Sequence, residues 1–110
     1  MKSVESIIRP IGEALAGIEG LSVYHYWRPQ LPAPFCIWAE ESDTSFEADN
    51  VRAEFGITGA VSFYTKIEFD PYVDLINNAL NATGAVWSYG PVMYEDETGL
   101  IHHEWSWTAI

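Results

Sequence analysis

Cysteine and long apolar runs are both scarce in this chain of 110 residues. The single cysteine, Cys36, excludes an internal disulfide, and its apolar neighbours Phe35 and Ile37 favour a small buried residue over a nucleophile. No segment reaches the roughly 20 apolar residues that a membrane-spanning helix needs. The N-terminus lacks the apolar region and cleavage site of a signal peptide. These absences predict a protein that is made in the cytoplasm and has no membrane partner.

Positive charge is the next deficit. Only five Lys and Arg residues face sixteen Asp and Glu residues, which gives a formal net charge of −11. Proteins that hold a nucleic-acid backbone need clustered cations, so sequence-specific nucleic-acid binding is not expected. An acidic surface can instead repel DNA, bind a basic partner or maintain solubility.

Catalytic and cofactor motifs are also missing. The chain has no phosphate-binding glycine loop, no nucleophile elbow and no paired metal-binding cysteines. His102 and Glu104 share one face of a predicted strand and could supply two metal ligands, but the adjacent His103 points to the opposite face. The acidic turn 95–97 lacks the spaced ligands of a calcium loop. We therefore predict no enzyme, no cofactor and no metal; a small metal-dependent or thiol enzyme is the least favoured alternative.

What the chain has in abundance is apolar surface. Hydrophobic residues make up 48% of the sequence and aromatic residues 15%, enough to offset the conformational entropy of folding without disulfides or metal. We expect residues 1–110 to form a single domain.

Two stretches have the periodicity of amphipathic helices. In the first, Pro10 predicts a kink or a separate first turn; in the second, Asp70-Pro71 supplies an N-cap followed by proline at the first helical position. Gly84 ends the second helix. The first apolar stripe consists of Val4, Ile7, Ile8, Ile11, Leu15 and Ile18.

Alternation with period two predicts five strands, and Gly56 and Gly59 within the third indicate a bulge or a close neighbour. The strands are 21–27, 35–41, 51–65, 85–94 and 100–108. A Pro-rich connection, 28–34, separates the first two, and an acidic loop or hairpin tip, about 42–50, follows the second. The order α-β-β-β-α-β-β predicts an α+β fold, in which two helices cover one face of a mainly antiparallel sheet of about five strands.

The aromatic residues leave two interpretations open. If Phe35 and Ile37 face the core, Trp38 points to solvent. If Trp38 faces the core instead, Phe35 and Ile37 are exposed. Such surplus apolar surface indicates an interface, unless both faces of the sheet are buried.

The segment from Glu40 to Glu54 carries six acids against Arg52 alone. It is either a solvated loop or an arm that orders on a partner, with Phe46 as its apolar anchor. On the second hypothesis the interface candidates are Trp38, Glu40, Glu41, Asp43, Phe46, Glu47 and Asp49.

The organisation of the chain resembles the small tail-completion and tail-terminator proteins of long-tailed bacteriophages. The resemblance covers nearly the whole chain. After the N-terminal helix it consists of the Pro-rich segment 31–38 leading into a strand, the acidic insertion, the segment 63–70 entering the second helix, and the closing hairpin 94–103.

This resemblance implies a non-enzymatic component of a ring, commonly a hexamer, which caps the tail tube and joins it to the head. The implied partners are further copies of the chain, the tail tube protein and the head connector protein. The implied location is the host bacterial cytoplasm during assembly and then the virion. An acidic lumen would let DNA pass without sticking. The alternative function is an acidic adaptor or inhibitor module that binds a basic protein.

Overall fold

A computed structural model describes residues 3–43, 46–48, 51–54 and 56–110. The elements follow one another as α1 (Val4–Ala16), β1 (Val23–His25), β2 (Phe35–Asp43), β3 (Phe46–Ala48), β4 (Val51–Glu54), β5 (Ile57–Thr65), α2 (Tyr72–Thr83), β6 (Val86–Glu95) and β7 (Leu100–Ala109). The predicted α+β fold with two helices and a five-stranded, mostly antiparallel sheet is confirmed.

The main sheet has the strand order β1-β2-β5-β7-β6. All its pairs are antiparallel except β1 with β2, where Val23 lies beside Cys36 and His25 beside Trp38 in parallel register. This pair is the parallel member of a sheet that the sequence predicts to be mainly antiparallel. The connection after β1 carries the chain back across the sheet, as a parallel pair requires.

The predicted strand 51–65 is divided in the structure. Its second part is β5, while its first part, β4, pairs with β3 in a separate two-stranded sheet. This ribbon follows the β2–β5 pair, which ends at Asp43 and Ile57; within that pair the register shifts between Glu40 and Ser42. The described part of the acidic segment thus contains strands, where a loop or hairpin tip was expected.

Helix α1 covers one face of the sheet. Its N-cap is Ser3, whose hydroxyl accepts a hydrogen bond from the Ser6 N–H. The helix continues through Pro10, so the expected separate first turn is absent. Pro10 lies on the exposed side, where water can bond the carbonyl that proline leaves without a donor. A Cβ at Gly12 would overlap the Trp38 ring, so glycine lets α1 approach β2 closely.

Helix α2 lies beside α1 on the same face. Its N-cap is Pro71, one residue after the predicted Asp70, and the Asp70 Oδ1 accepts a 2.9 Å hydrogen bond from the Tyr72 N–H at the first helical residue. Gly84, with φ of 78°, ends the helix in the left-handed conformation that favours glycine. Asn77 on this helix accepts a 2.7 Å hydrogen bond from the Trp105 indole, which fixes α2 to the centre of β7.

The main core lies between the helices and the sheet. Trp105 and Trp107 of β7 are fully buried in it, as the alternation of that strand predicts. A Cβ at Gly59 of β5 would overlap both the Trp107 ring and the Ala39 carbonyl oxygen. The close neighbour that glycine indicated at this position is thus the Trp107 indole. The other buried members are Ile7, Ile8, Ile11, Leu15, Leu21, Cys36, Trp38, Ile57, Val61, Phe63, Ile76, Leu80 and Ala109.

A smaller cluster of Phe35, Tyr64 and Leu100 lies on the opposite face. The Pro-rich connection packs on it through Ala33, and we call residues 26–34 the strap. The guanidinium of Arg28 lies 4.4 Å from the Tyr64 ring centroid and pairs with Glu95 at 3.2 Å. Both faces of the sheet are therefore buried near the start of β2.

Candidate interaction surface

Strand β6 is an edge of the main sheet, because β7 pairs with one of its sides and none of the described strands pairs with the other. The sequence carries no charged residue between Asp74 and Glu95, so the whole strand up to its last residue is uncharged. Its exposed large apolar side chains are Val86, Tyr89, Val92, Met93 and Tyr94. This β6 edge presents apolar side chains and unpaired backbone groups together, which is the combination that invites pairing with another chain.

A bulge divides the β6 edge. The register against β7 shifts between Tyr89 and Val92, around Gly90, whose φ of 118° favours glycine. Pro91 follows and has no N–H to offer to a neighbouring strand. Because of the bulge, Val92 and Tyr94 face the helix side of the sheet while Met93 faces the strap side, opposite His102. The edge therefore exposes apolar side chains on both faces.

The loop between β5 and α2 places Phe69 beside this edge. Asp70 is almost fully buried; its Oδ2 accepts a 2.6 Å hydrogen bond from the Thr65 hydroxyl, whose oxygen accepts one from the Ile67 N–H. These bonds hold the turn in a fixed conformation, with Phe69 at φ of 58° and its side chain 92% exposed. An aromatic residue in the left-handed region is unfavourable by about 1–2 kcal/mol, and burial does not compensate it here.

A cleft of about 400 Å³ opens between this loop, α2 and the β6–β7 hairpin. We call it the Phe69 cleft. Its lining is mainly apolar, with three carboxylates and one imidazole among the walls. The lining residues are Glu68, Phe69, Asp70, Val73, Asp74, Tyr89, Val92, Ile101 and His103.

His103 forms the buried end of the cleft. Its Nδ1 is 2.7 Å from the Tyr89 hydroxyl, and its Nε2 has no hydrogen-bond partner among the described residues. Burial lowers the pKa of His103, although the nearby Asp70 carboxylate opposes the shift. The imidazole is accordingly neutral at pH 7, with one ring nitrogen unsatisfied. A buried polar atom without a partner is unfavourable by about 1–3 kcal/mol.

A second polar cluster lies at the other edge of the sheet. His25 Nε2 is 2.7 Å from Glu40 Oε1, and the Tyr26 hydroxyl donates to the other oxygen of Glu40. The imidazole stacks between the Tyr26 and Trp38 rings, at 3.8 and 3.9 Å. Desolvation raises the pKa of Glu40, but the hydrogen bonds from Tyr26 and His25 outweigh it and the net shift is downward. The cluster holds the start of the strap against β2.

The residues predicted for an interface are dispersed in the structure. Trp38 is 9% exposed and packs beneath α1, so two-faced burial applies at this position and the indole offers little surface. Glu40 belongs to the cluster with His25, while Glu41 and Asp43 are exposed near the end of β2. Phe46 and Glu47 lie in β3, and Asp49 lies outside the described residues. A role for these residues in an interface stays a prediction.

The candidate catalytic and metal-binding residues also lie apart from one another in the structure. Cys36 is fully buried and desolvation raises its pKa to about 12, so the thiol is protonated at neutral pH and a poor nucleophile. His102 stacks on Tyr64 at 4.3 Å on the strap side, away from His103. Within the described ranges no group of three or more His, Cys, Asp or Glu side chains could hold a metal ion.

Sequence reasoning missed the β6 edge and Phe69. Two signals were present: an uncharged run ending at Glu95, and a phenylalanine directly before the Asp70-Pro71 helix start. Neither is specific, because periodicity assigns a face to a side chain but does not say which strand lies at the edge of a sheet. In the described part of the chain, no helix is long and apolar enough to cross a membrane.

No protein-family model matches the chain, and no curated protein matches it either. Among solved structures, a chain from the virion of a native gene transfer agent particle is similar at 13% sequence identity. The match covers 97% of this chain and 92% of that chain, with a TM-score of 0.48. A likeness of this level carries no argument about function, so functional inference depends on the β6 edge and the Phe69 cleft.

Proposed function

We propose that this protein is a non-enzymatic assembly subunit of a phage-type virion. In this role it associates with copies of itself in a ring, caps the tail tube at its head-proximal end and joins the tube to the head. The observation that carries the proposal is the β6 edge, ten residues long, uncharged as far as Tyr94 and exposed on both faces. The order of elements resembles that of the tail-completion and tail-terminator proteins, and this resemblance is the reason for proposing the head-proximal end of the tail tube as the place of assembly.

The reactive side chains of the protein support a structural role over a catalytic one. Its one thiol is buried and protonated, and the histidines at 102 and 103 lie on opposite faces of β7. A net charge of −11 disfavours nonspecific contacts with DNA, as suits a subunit around a DNA passage. Contacts between such acidic subunits have to be apolar or backbone-mediated, because charge alone would keep them apart. The β6 edge provides both kinds of contact.

The test uses Met93→Glu, which places a carboxylate in the second half of the β6 edge, after the bulge. The matched control is Leu75→Glu on the outer side of α2, since the two side chains are 45% and 43% exposed. Sedimentation velocity measures self-association, and electron microscopy of the protein mixed with purified tail tubes measures capping of tube ends. We expect Met93→Glu to weaken ring association by about tenfold or more, because a carboxylate buried at a subunit contact without a partner is unfavourable.

Leu75→Glu is expected to associate and cap tubes like the unaltered protein. If the two variants behave alike in both measurements, the β6 edge is not the contact between subunits. If the unaltered protein neither forms rings nor binds tube ends at any concentration, the proposed function is wrong.

A further inference from the structure

We propose that the Phe69 cleft binds an apolar side chain of a different protein, flanked in that protein by Lys or Arg. The inference rests on the proposed function, because it names the chemistry of the partner that an assembly subunit takes at this place. It concerns the helix side of the sheet beside β6, whereas Met93 of the β6 edge faces the strap side. The two contacts can therefore be tested separately.

The volume and the lining of the cleft indicate which apolar group of the partner fits into it. Its volume of about 400 Å³ is at the lower end of the roughly 300–1,000 Å³ typical of binding clefts. Val73, Val92 and Ile101 provide aliphatic walls, and Tyr89 adds an aromatic one. One large apolar side chain fits such a space, and burying it against these walls supplies the hydrophobic part of binding.

The charges at the mouth of the cleft indicate that the partner carries a cation beside this apolar group. Glu68 and Asp74 are exposed, line the cleft and have no ion pair among the described residues. Asp70, in contrast, already accepts hydrogen bonds on both of its oxygens. Two free carboxylates beside an apolar wall attract a cation more strongly than they would in open water, because the wall lowers the local dielectric constant.

A second copy of this chain is poorly suited to supply that cation. Of the cations whose side chains the structure describes, Arg9 pairs with Glu5 and Arg28 with Glu95. Lys66 belongs to the same loop as Glu68 of the cleft itself. Two copies also repel each other, since each carries a net charge of −11. The charge balance thus favours a basic partner of another kind.

Phe69 and His103 lie at the rim and at the inner end of the cleft. The Phe69 ring stands almost fully exposed at the rim, and aromatic residues at the centre of a contact commonly contribute a large share of binding energy. His103 closes the inner end of the cleft, and its Nε2 is buried without a hydrogen-bond partner in the described chain.

The test is a titration of the full chain, labelled with ¹⁵N, with acetyl-Leu-Arg-amide and with acetyl-Leu-Gln-amide as the uncharged reference. We expect chemical-shift changes at the amides of Phe69, Val73 and Ile101. We expect a dissociation constant at least about threefold lower for the arginine peptide, which corresponds to a modest ion-pair contribution. The preference should decrease as NaCl is raised.

Variants of the cleft residues test whether the preference for the arginine peptide arises in the cleft. Glu68→Gln/Asp74→Asn should bind both peptides equally, and Phe69→Asn should weaken both. The matched control is Glu13→Gln/Glu19→Gln, which removes the same charge from exposed positions on and after α1 and should keep the preference. Equal affinity of the unaltered protein for the two peptides overturns the proposal, and so does an equal loss of preference in the control.

Two further outcomes separate this inference from the proposed function. Met93→Glu should lose ring association and keep peptide binding, so a loss of ring association alone leaves the cleft intact. If Glu68→Gln/Asp74→Asn or Phe69→Asn abolishes self-association in sedimentation velocity, the cleft holds a second copy of the chain, and the proposal of a basic partner is overturned.

Discussion

Phe69 is a residue that is unfavourable for the stability of the folded protein at the position it occupies. Its backbone is left-handed, at φ of 58°, and its ring is exposed to solvent. Asparagine tolerates this conformation better than phenylalanine does. A residue type that is unfavourable for folding and yet occupies the rim of a cleft is the kind of outlier that suggests a role in binding.

Replacement of this residue should stabilise the isolated protein. We expect Phe69→Asn to raise the free energy of unfolding by about 0.5–1 kcal/mol, because the backbone strain decreases while almost no buried surface is lost. Urea titration at a concentration where the chain is monomeric measures the change. Ile67→Asn is the control, since Ile67 lies in the same loop, is also exposed and lacks the positive φ. A loss of more than about 1 kcal/mol in Phe69→Asn would show that the ring packs in solution.

At the scale of elements, the strap explains how the second face of the sheet is covered. Neither helix lies on that face, and the buried cluster of Phe35, Tyr64 and Leu100 would otherwise meet water. Arg28 holds the strap by stacking on Tyr64 and by pairing with Glu95 at the end of β6. A single side chain thus links the first connection of the chain to its last hairpin.

Removal of that link should be measurable. We expect Arg28→Ala to lower the free energy of unfolding by about 1 kcal/mol, the sum of a partly exposed cation–π contact and a screened ion pair. Chemical denaturation measures the loss, and amide hydrogen exchange should accelerate at Tyr26 and Trp27, whose N–H groups donate to the Trp38 and His25 carbonyls, because the strap is released. Arg9→Ala is the control: its pair with Glu5 is largely exposed on α1, so the expected change stays within about 0.5 kcal/mol. Unchanged exchange in Arg28→Ala would mean that prolines and packing alone hold the strap.

Elements with a strong local pattern could be predicted from the sequence. The stripe of α1, the start of α2 near Asp70-Pro71 and the alternation of β7 each follow from residues close together in the chain. The parallel pairing of β1, the separation of β4 from β5 and the edge position of β6 depend on which distant strands meet, and period-two alternation has no information about partners. The same limit explains why the uncharged β6 was predicted as a strand but not as an exposed one.

The whole molecule is extended and strongly acidic. Its radius of gyration is 15.1 Å and its principal extents are 50 × 27 × 23 Å, whereas a compact domain of this length has a radius of gyration of roughly 13 Å. An elongated shape exposes more surface for contacts than a spherical one. The acids spread over that surface repel one another, since the net charge is −11.

This repulsion predicts a dependence of stability on salt. We expect the Tm to rise by several degrees between about 20 and 300 mM NaCl, equivalent to about 1 kcal/mol, because salt screens like charges on the surface. Differential scanning calorimetry measures the shift. Asp96→Asn/Glu97→Gln in the exposed β6–β7 turn reduces the net charge and should shrink the rise. A Tm that falls with salt would show that attractive pairs such as Arg28 with Glu95 dominate.

The contact of Gly12 with the Trp38 indole has a consequence for how such a sequence can change over generations. A methyl group at position 12 has no room while the indole is in place, and a smaller side chain at position 38 leaves a void while glycine is in place. Each single step passes through a less stable protein, so the two positions are constrained to mutate as a pair. Gly59 is constrained more strictly, because a Cβ there would overlap the Ala39 carbonyl oxygen as well as the Trp107 indole. Covariation between glycine and tryptophan columns is therefore the mark that this fold should leave among diverged descendants, even where overall identity has decayed.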